Sequence, residues 1–417
     1  MIETSVAATG TDDPRAADEL QAERPIRVAQ VVTRLSAGAG GITLRGALGL
    51  HRDRYQTTIF AAEGGLLTDA AEAAGMTVVP LRHMAIGRGL YPWVDGPGYR
   101  ELLELLSHGD FDIVHTHSAK AGALGRLAAY RLGIPAIVHS FHGFPFHQFQ
   151  SPPVRQALLA IERRLARVTD YFLTDGTVVA AEAVRLKIAP PERIRAIASP
   201  VDSGIPVATP ENRAQARRML GIPQEDRVVG TAARLESQKA PLDMVRAIAG
   251  LDRSDIRVVW FGDGPLRART QRLIDRSGLH DRFHLAGNRD DVAALLPALD
   301  VFAMSSLYEG LPCAVVEAMI CGIPVVATAV NSVPEIVLSG KTGLLARAGD
   351  PASLGRALAY LIDHPAEGSR MAAEARLLVG GRFQADVLGD DLAQAYTIAL
   401  RDAPVRPRSL FARGARR

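Results

Sequence analysis

The sequence is short of cysteine, and its first residues lack the features of a targeting segment. Only Cys313 and Cys321 occur among 417 residues. Two cysteines are too few for a disulfide framework, and eight residues of helix would hold the two thiols apart. We therefore expect a reducing, cytoplasmic setting. Residues 1–24 have no basic start and no apolar core, which argues against a signal peptide or a spanning helix and predicts a disordered leader.

Lysine is scarce as well, and the charges of the two signs nearly cancel. Only four of the 48 basic residues are lysine, at positions 120, 187, 239 and 341, and the formal net charge is +3. The basic residues are interspersed with nearly as many acidic ones, so we expect no nucleic-acid partner.

The segment 404–417 departs from this balance. It carries arginine at positions 406, 408, 413, 416 and 417, with no acid to match them. Such a segment is typical of a solvated, disordered chain end. It also fits a peripheral contact with anionic lipid headgroups, and both interpretations stay open.

Alternating strand and helix patterns fill most of the chain, in two halves. Strands are predicted at 26–32, 57–61, 77–79, 113–117, 136–139 and 171–174, and again at 228–232, 258–261, 283–285, 301–303, 325–327 and 343–345. Such alternation predicts doubly wound parallel sheets. A polar segment with prolines, 199–210, separates the halves, so we expect one domain at 25–205 and another at 206–385.

The segment from Tyr308 to Gly322 combines two acids with a short predicted helix. Pro312 suits the first turn of that helix, and Gly322 suits the position after its end. Glu309 then lies in the entering loop, and Glu317 lies about one and a half turns into the helix, near the end that attracts anions. Two acids beside an anion-binding helix end indicate a polyhydroxylated, anionic ligand. The alternative is that both are exposed helix charges.

Two further segments have the chemistry of phosphate binding. Arg234 and Lys239 follow the predicted strand 228–232, where a guanidinium fork and an ammonium can converge on one diphosphate. Gly40 and Gly41 end a glycine-rich turn, 36–41, between a strand and a helix predicted at 42–50. Such a turn brings backbone N–H groups against a phosphate or is simply a tight connection.

Five histidines, at positions 115, 117, 139, 142 and 147, crowd one segment. His115 and His117 alternate along a strand and are expected on one face, so a zinc-binding His-x-His pair is one interpretation. Histidines without metal in a cleft are the other, because no cysteine or acid cluster completes a ligand set. Asp110 and Asp112 form an Asp-x-Asp unit, but they precede a strand, as turn and strand-start acids do.

The sequence resembles the retaining nucleotide-sugar glycosyltransferases of the GT-B fold, family four, group 1. The resemblance covers roughly residues 26–400 and rests on a set of motifs rather than on one. These are Gly40-Gly41, the run from Phe111 to Ser118, His142-Gly143-Phe144, Arg234…Lys239, Gly262-Asp263-Gly264-Pro265, Glu309…Glu317, Pro334-Glu335-Ile336-Val337 and Thr342-Gly343.

The resemblance implies a fold and a set of site residues. Two Rossmann-like domains would face each other across a cleft, and a last helix, 386–403, would pack back on the first. In the cleft, Glu317 would bind the ribose, and Glu309 with the backbone of Gly310, Leu311 and Pro312 would face the donor sugar. The remaining implied residues are Arg234 and Lys239 at the diphosphate with help from Gly40 and Gly41, His142 near the anomeric centre, and Gly264, Asn288 and Arg289 near the base.

The implied activity is transfer of a hexose or N-acetylhexosamine, with retention, from a nucleoside-diphosphate sugar to a hydroxyl acceptor. UDP is the expected nucleotide, and no metal or other cofactor is expected. The acceptor would be a lipid-linked glycan, with a cytoplasmic enzyme at the inner face of the membrane, or a small natural product. An epimerase or phosphorylase of the same fold and a non-catalytic nucleotide-sugar-binding subunit stay open as alternatives.

Overall fold

The computed structural model describes residues 24–36, 38–84, 92–201 and 204–407. The predicted leader, apart from its last residue, and positions 408–417 of the basic segment lie outside the described residues. Within them, no helix has the length and apolar character needed to cross a bilayer.

The first half of the chain forms a seven-stranded parallel sheet. Its strands are β1 (Ile26–Arg34), β2 (Tyr55–Ala62), β3 (Thr77–Leu81), β4 (Ile113–His117), β5 (Ala136–Phe141), β6 (Tyr171–Thr174) and β7 (Ile194–Ala196). The helices are α1 (Ala39–Gly49), α2 (Thr68–Ala73), α3 (Pro92–His108), α4 (Ala119–Leu132), α5 (Pro152–Leu165) and α6 (Thr177–Arg185). Every residue of β4 and β5 is buried, as expected for parallel strands that are covered on both faces.

The second half forms a six-stranded parallel sheet. Its strands are β8 (Arg227–Ala232), β9 (Ile256–Phe261), β10 (Phe283–Gly287), β11 (Val301–Met304), β12 (Val325–Thr328) and β13 (Leu344–Ala346). The helices are α7 (Pro210–Leu220), α8 (Pro241–Ala249), α9 (Arg267–Arg276), α10 (Val292–Leu295), α11 (Cys313–Cys321), α12 (Pro351–Asp363), α13 (Pro365–Val379) and α14 (Ala385–Asp402). Two doubly wound sheets confirm the predicted fold class.

The strand order places a crevice at the same point of each sheet. The orders are β3-β2-β1-β4-β5-β6-β7 and β10-β9-β8-β11-β12-β13. The direction of winding reverses between β1 and β4 and again between β8 and β11. Loops that leave the carboxyl ends of such strands diverge, and ligands bind in the gap between them. The segments around Lys239 and Glu309 leave β8 and β11, so the fold brings them together.

The last helix, α14, packs against α1 and confirms the predicted return to the first domain. It buries Leu388, Leu392 and Tyr396 at the helical repeat of one face, and each buried leucine contributes about 1.5–3 kcal/mol of hydrophobic free energy. The two helices approach through glycines: a Cβ on Gly389 would lie 1.9 Å from the carbonyl oxygen of Gly49.

The basic segment begins on the first domain rather than in solvent. The Arg406 guanidinium lies 2.7 Å from the buried carboxylate of Asp170 and stands over the ring of Tyr130. A buried carboxylate needs such a partner because desolvation of an unpaired charge is costly. The prediction of a solvated end or a lipid contact is therefore wrong for Arg406.

The start of α1 differs from the prediction. The helix begins at Ala39, so Gly40 and Gly41 lie in its first turn and not in a preceding turn. A Cβ on Gly40 would lie 2.6 Å from the carbonyl oxygen of Arg34, so glycine is needed there for the helix to start against the end of β1. The short strand β7 is not among the strands that the sequence predicts.

Candidate active site

An ion pair lies at the crevice of the second sheet. Lys239 Nζ is 2.5 Å from Glu309 Oε1, and Gln238 Nε2 lies 3.4 Å from the other carboxylate oxygen. The backbone N–H of Glu309 donates to Asn331 Oδ1 at 2.9 Å. Glu309 is buried and Lys239 is half-buried. The loop after β8 and the loop after β11 are thus joined through charged and polar side chains.

The helix that follows this loop is α11; Gly322 follows its end, as the sequence predicts, but the helix begins one residue after Pro312, which was expected in the first turn. Pro312 is the residue before its first turn, and Gly322 ends it with a φ of 84°. Glu317 lies in its second turn and is half-buried, and Gly310, Leu311 and Pro312 are buried in the entering loop. The predicted division of the two glutamates, one in the loop and one on the helix, is therefore confirmed.

Charges from both domains gather around the start of α11. The charged side chains that act electrostatically on the Cys313 thiol are those of Glu317, Arg45, Asp175 and Lys239. Burial raises the pKa of Cys313 to about 12, and burial likewise raises the pKa of Cys321 to about 12. Both cysteines are free thiols, and neither is a nucleophile near neutral pH, since only the thiolate reacts.

Arg234 and Lys239 have separate partners. The Arg234 guanidinium is 71% exposed at the rim and pairs with Glu236. Lys239, by contrast, points to Glu309. The two cations follow the same strand, as predicted, and they bond to different carboxylates.

The glycine turn after β9 lies against the end of β10. Gly262 donates its N–H to the carbonyl oxygen of Gly287 at 2.7 Å, and its φ is 124°. A Cβ on Gly264 would lie 2.7 Å from the carbonyl oxygen of Leu235. The two segments predicted to surround a base are therefore neighbours. Asn288 and Arg289 beside them are exposed, and Arg289 pairs with Asp291 at 2.6 Å.

The first domain contributes His142 to the side of the cleft that faces Lys239 and Glu309. Its Nδ1 lies 3.0 Å from Asp175 Oδ1, and it follows β5. A Cβ on Gly310 of the second domain would lie 2.9 Å from Asp175 Oδ2 and 3.1 Å from the carbonyl carbon of His142. The loop that carries Glu309 therefore touches His142 directly, and glycine at 310 permits that approach.

The loop after His142 makes a second contact between the domains. The ring of His147 stacks on Tyr308 with 3.9 Å between their centroids. Phe141 and Phe146 are core residues, whereas Phe149 is 47% exposed.

Gly40 and Gly41 follow the carboxyl end of β1, next to the point where the winding of the first sheet reverses. Their N–H groups belong to the first turn of α1, which supplies them with no carbonyl partner. A Cβ on Gly41 would lie 3.2 Å from the guanidinium of Arg45. Arg45 therefore lies beside the predicted phosphate-binding N–H groups.

His115 and His117 project to one face of β4, as predicted, with 4.2 Å between their ring centroids. Both ring nitrogens of each are hydrogen-bonded to other side chains. Burial lowers the pKa of His115 to about 3, and burial holds the pKa values of His117 and His139 well below 6.5. In the part of the chain that is described, no group of three His, Cys, Asp or Glu residues is suited to a metal ion. Independence from metal stays a prediction.

The Asp-x-Asp unit has a structural role at Asp112. Its carboxylate accepts from the Arg24 guanidinium at 2.7 and 2.9 Å and from the N–H of Arg27 at 2.9 Å. It therefore fixes the start of β1 against β4.

Several residues of the site were not found from the sequence. They are Arg45, Asp175, Gln238 and Asn331, which reach the site from four different segments. For Gln238, its position next to Lys239 was the available signal. The other three are ordinary polar residues whose neighbours come from distant parts of the chain.

Two family models match the chain, one over each sheet. The model of the glycosyl transferases group 1 matches residues 212–378, and the model of the glycosyl transferase 4-like domain matches residues 37–200.

Two relatives match across both domains. A D-inositol 3-phosphate glycosyltransferase from Streptomyces scabiei is 31% identical over 312 residues, which are 70% of this chain and 69% of the relative. A UDP-Gal:alpha-D-GlcNAc-diphosphoundecaprenol alpha-1,3-galactosyltransferase from Escherichia coli is 28% identical over 346 residues, which are 81% of this chain and 88% of that protein.

Solved structures share the whole fold. HepE from Anabaena, in complex with UDP and glucose, has a TM-score of 0.76 at 20% identity and aligns over 89% of this chain and 99% of its own. WaaG, a glycosyltransferase involved in lipopolysaccharide biosynthesis, has a TM-score of 0.72 at 15% identity over 90% of this chain and 99% of its own.

Proposed function

The chain belongs to the glycosyl transferases group 1 family, and from that membership we propose that it transfers a hexose or N-acetylhexosamine from a UDP-sugar to a hydroxyl acceptor, with retention of anomeric configuration. The observation that carries this proposal is the ion pair of Lys239 and Glu309 in the crevice of the second sheet, on a loop whose Gly310 packs against His142 and Asp175 of the first domain. The cation Lys239, the buried acid Glu309 and the facing residues of the first domain meet where a sugar diphosphate would lie.

The names of the relatives support the choice of donor and acceptor. The E. coli relative uses UDP-Gal and a lipid-linked sugar diphosphate, and HepE was solved with UDP and glucose. We therefore favour UDP and a lipid-linked glycan acceptor, which would bring the enzyme to the inner face of a membrane. The S. scabiei relative acts on an inositol phosphate, so a small phosphorylated polyol is the second candidate acceptor.

Electrostatics would supply most of the rate. As the bond from the anomeric carbon to the diphosphate breaks, negative charge grows on the leaving group, and Lys239 would turn from Glu309 to the phosphates. Arg234 is exposed and would reach the same group from the rim. Preorganised charges of this kind typically contribute 10²–10³-fold each. Glu309, released from Lys239, would accept hydrogen bonds from the sugar hydroxyls.

Retention would follow without a covalent enzyme intermediate. The acceptor hydroxyl would attack from the face that the diphosphate leaves, and the departing diphosphate oxygen would take its proton. A double displacement would require a carboxylate nucleophile, and the two buried carboxylates beside the site already have partners: Asp175 binds His142 and Glu309 binds Lys239. No metal ion is needed in this scheme, because Lys239, Arg234 and the first-turn N–H groups of α1 would balance the phosphate charge.

Product analysis with and without acceptor tests the proposal. The purified chain is incubated with UDP-galactose, UDP-glucose or UDP-N-acetylglucosamine and with a lipid-diphosphate sugar or inositol phosphate, and the anomeric configuration of the product is read by NMR. We expect UDP and an α-linked product from one pair. An altered UDP-sugar without acceptor would indicate an epimerase, a need for inorganic phosphate would indicate a phosphorylase, and binding without turnover would indicate a binding subunit.

A further inference from the structure

A continuous series of buried hydrogen bonds leads from the candidate active site to the last helix. Its members, which we call the polar chain, are about nine-tenths buried or more, and their successive polar atoms lie 2.7 to 3.0 Å apart. In order they are Asp175, His142, His117, Gln30, Tyr396, His115 and Ser140. Tyr396 belongs to α14, whereas the others belong to the first sheet and its loops.

The Gln30 amide sets the direction of these bonds. Its Nε2 donates to the Tyr396 hydroxyl at 2.8 Å, and its Oε1 faces His117 Nε2 at 2.7 Å. An amide oxygen only accepts, so His117 carries a proton on Nε2. Burial holds the pKa of His117 well below 6.5, so this ring is neutral near neutral pH. Its Nδ1 therefore carries no proton.

The unprotonated Nδ1 of His117 fixes the state of His142. It lies 3.0 Å from His142 Nε2, which must donate to it. The other nitrogen of His142, Nδ1, lies 3.0 Å from Asp175 Oδ1, and a carboxylate only accepts. Both nitrogens of His142 therefore donate.

Tyr396 holds the amide in this orientation. Its hydroxyl accepts from Gln30 and donates to His115 Nδ1 at 2.8 Å, and His115 Nε2 then donates to Ser140 Oγ at 2.7 Å. Burial lowers the pKa of His115 to about 3 and raises the pKa of Tyr396, so both groups stay neutral. Without the hydroxyl, the Gln30 N–H₂ would be buried against carbon. Rotation of the amide would then pair its nitrogen with His117 and leave the oxygen unpaired instead, which is the better tolerated loss for a buried amide.

We propose that Tyr396 is a positioning residue that acts through Gln30 and His117 to keep His142 doubly protonated at the cleft. The proposal rests on the proposed function for the role of His142 and deepens it. A ring that donates from both nitrogens cannot take the proton of an acceptor hydroxyl. His142 is then a fixed cation beside Asp175 and not the general base of the transfer.

Tyr396→Phe tests the proposal, with Tyr55→Phe as its matched control. Tyr55 is also buried, its ring lies 5.9 Å from that of Tyr396, and its hydroxyl bonds to the Ala393 carbonyl outside the polar chain. The readout is the imidazole ¹⁵N spectrum of histidine-labelled protein at neutral pH without substrate, in which the His142 signals are assigned by their loss in His142→Gln. These signals distinguish an imidazolium from either neutral tautomer.

We expect a doubly protonated His142 in the wild type and in Tyr55→Phe, and a neutral ring with its proton on Nδ1 in Tyr396→Phe. Ser140→Ala removes the acceptor at the far end of the polar chain and should shift His142 the same way. A neutral His142 in the wild type, or an unchanged His142 in both Tyr396→Phe and Ser140→Ala, would overturn the proposal.

Turnover gives a second readout. Tyr396→Phe should lower kcat of sugar transfer about tenfold, the equivalent of one buried hydrogen bond, while KM for the UDP-sugar stays as in Tyr55→Phe. Equal kcat values in the two variants would overturn the catalytic part of the proposal. If the wild type transfers no sugar, the proposed function fails, whereas the spectra of the free protein still decide the state of His142.

Discussion

Lys239 and Glu309 neutralise each other where the winding of the second sheet reverses. Such a pair adds little to stability, because the cost of desolvating both charges offsets most of their attraction. It does hold a cation and an acid in one place. When a ligand binds, Lys239 can pair with its phosphates and Glu309 can accept hydrogen bonds from its hydroxyls. We therefore interpret the pair as a binding device.

Lys239→Ala should lower the rate of sugar transfer about 10²–10³-fold, because the variant loses the charge that stabilises the leaving diphosphate. The melting temperature should fall as well, because the variant leaves the buried Glu309 carboxylate without its cation, so the rate is measured well below the unfolding transition. The control is Lys341→Ala, which removes an exposed lysine of the same domain and should leave the rate unchanged. Full activity in Lys239→Ala would refute its assignment to the diphosphate.

The buried histidines predict a loss of stability in acid. Burial lowers the pKa values of His115, His117 and His139, so below pH 6.5 the unfolded chain binds protons that the native state does not. For each of these rings, the free energy of unfolding then falls by about 1.4 kcal/mol for each pH unit below 6.5, until the pH reaches the pKa of the ring in the folded state. Urea unfolding between pH 7 and 5 measures the slope. His139→Gln should reduce the slope, whereas the exposed His280→Gln should not.

At the residue scale, the sequence indicated the charged residues that lie on strand ends or helix ends. The cleft between the domains is lined by Glu309, Lys239 and His142, because each of them follows a strand whose carboxyl end faces that cleft. Asp175 and Asn331 could not be found this way. Their importance depends on which residue of another segment they contact, and local spacing carries no information about that.

At the scale of elements, the crossing of α1 and α14 depends on glycine. A Cβ on Gly49 would lie 2.1 Å from the carbonyl oxygen of Ala385, and a Cβ on Gly389 would lie 1.9 Å from that of Gly49. The helices are thus in backbone contact, and any side chain would push them apart.

Gly389→Ala should lower the free energy of unfolding by about 1–3 kcal/mol, as overpacking of a tight contact does, even though alanine is the better helix former. The control is Gly96→Ala in α3, where a Cβ meets nothing within 4 Å and alanine should be neutral or stabilising by up to ~1 kcal/mol. Chemical denaturation of both variants checks this. Equal stabilities would contradict a backbone contact.

Apart from β7, the strands of both sheets were predictable because each is a short apolar run next to glycine or polar turns. The residues at which helices begin were less predictable. The helix α5 begins at Pro152 and Pro153, a pair that indicates a loop in sequence but is tolerated in a first helical turn, where N–H groups have no helical partner. The early start of α1 could not be predicted from the sequence either, because it depends on how closely Gly40 approaches β1.

At the scale of the whole molecule, Glu335 joins the two domains. Its carboxylate accepts from the N–H groups of Thr177 and Val178 at 3.0 and 2.8 Å, at the positive end of α6. Gly176 permits the approach, since a Cβ there would lie 2.1 Å from Ser332 Oγ. Burial opposes ionisation of Glu335, but these hydrogen bonds prevail and lower its pKa below 4.5.

Glu335→Ala should open the cleft, because two hydrogen bonds at a helix end are worth about 1–2 kcal/mol. Small-angle X-ray scattering should show a larger radius of gyration than in the wild type, and KM for the donor should rise severalfold. Glu225→Ala, an exposed acid of the second domain, should change neither. An unchanged radius in Glu335→Ala would mean that other contacts hold the domains.

The central claim is that the crevice beside Lys239 and Glu309 holds the diphosphate of a UDP-sugar, and calorimetric titration of UDP tests it most directly. We expect UDP to bind the wild type and Lys341→Ala alike. Lys239→Ala should bind it about 10–100-fold more weakly, as loss of a charge-assisted phosphate contact predicts. Equal affinity of UDP for Lys239→Ala and the wild type, or no binding by the wild type, would contradict the claim.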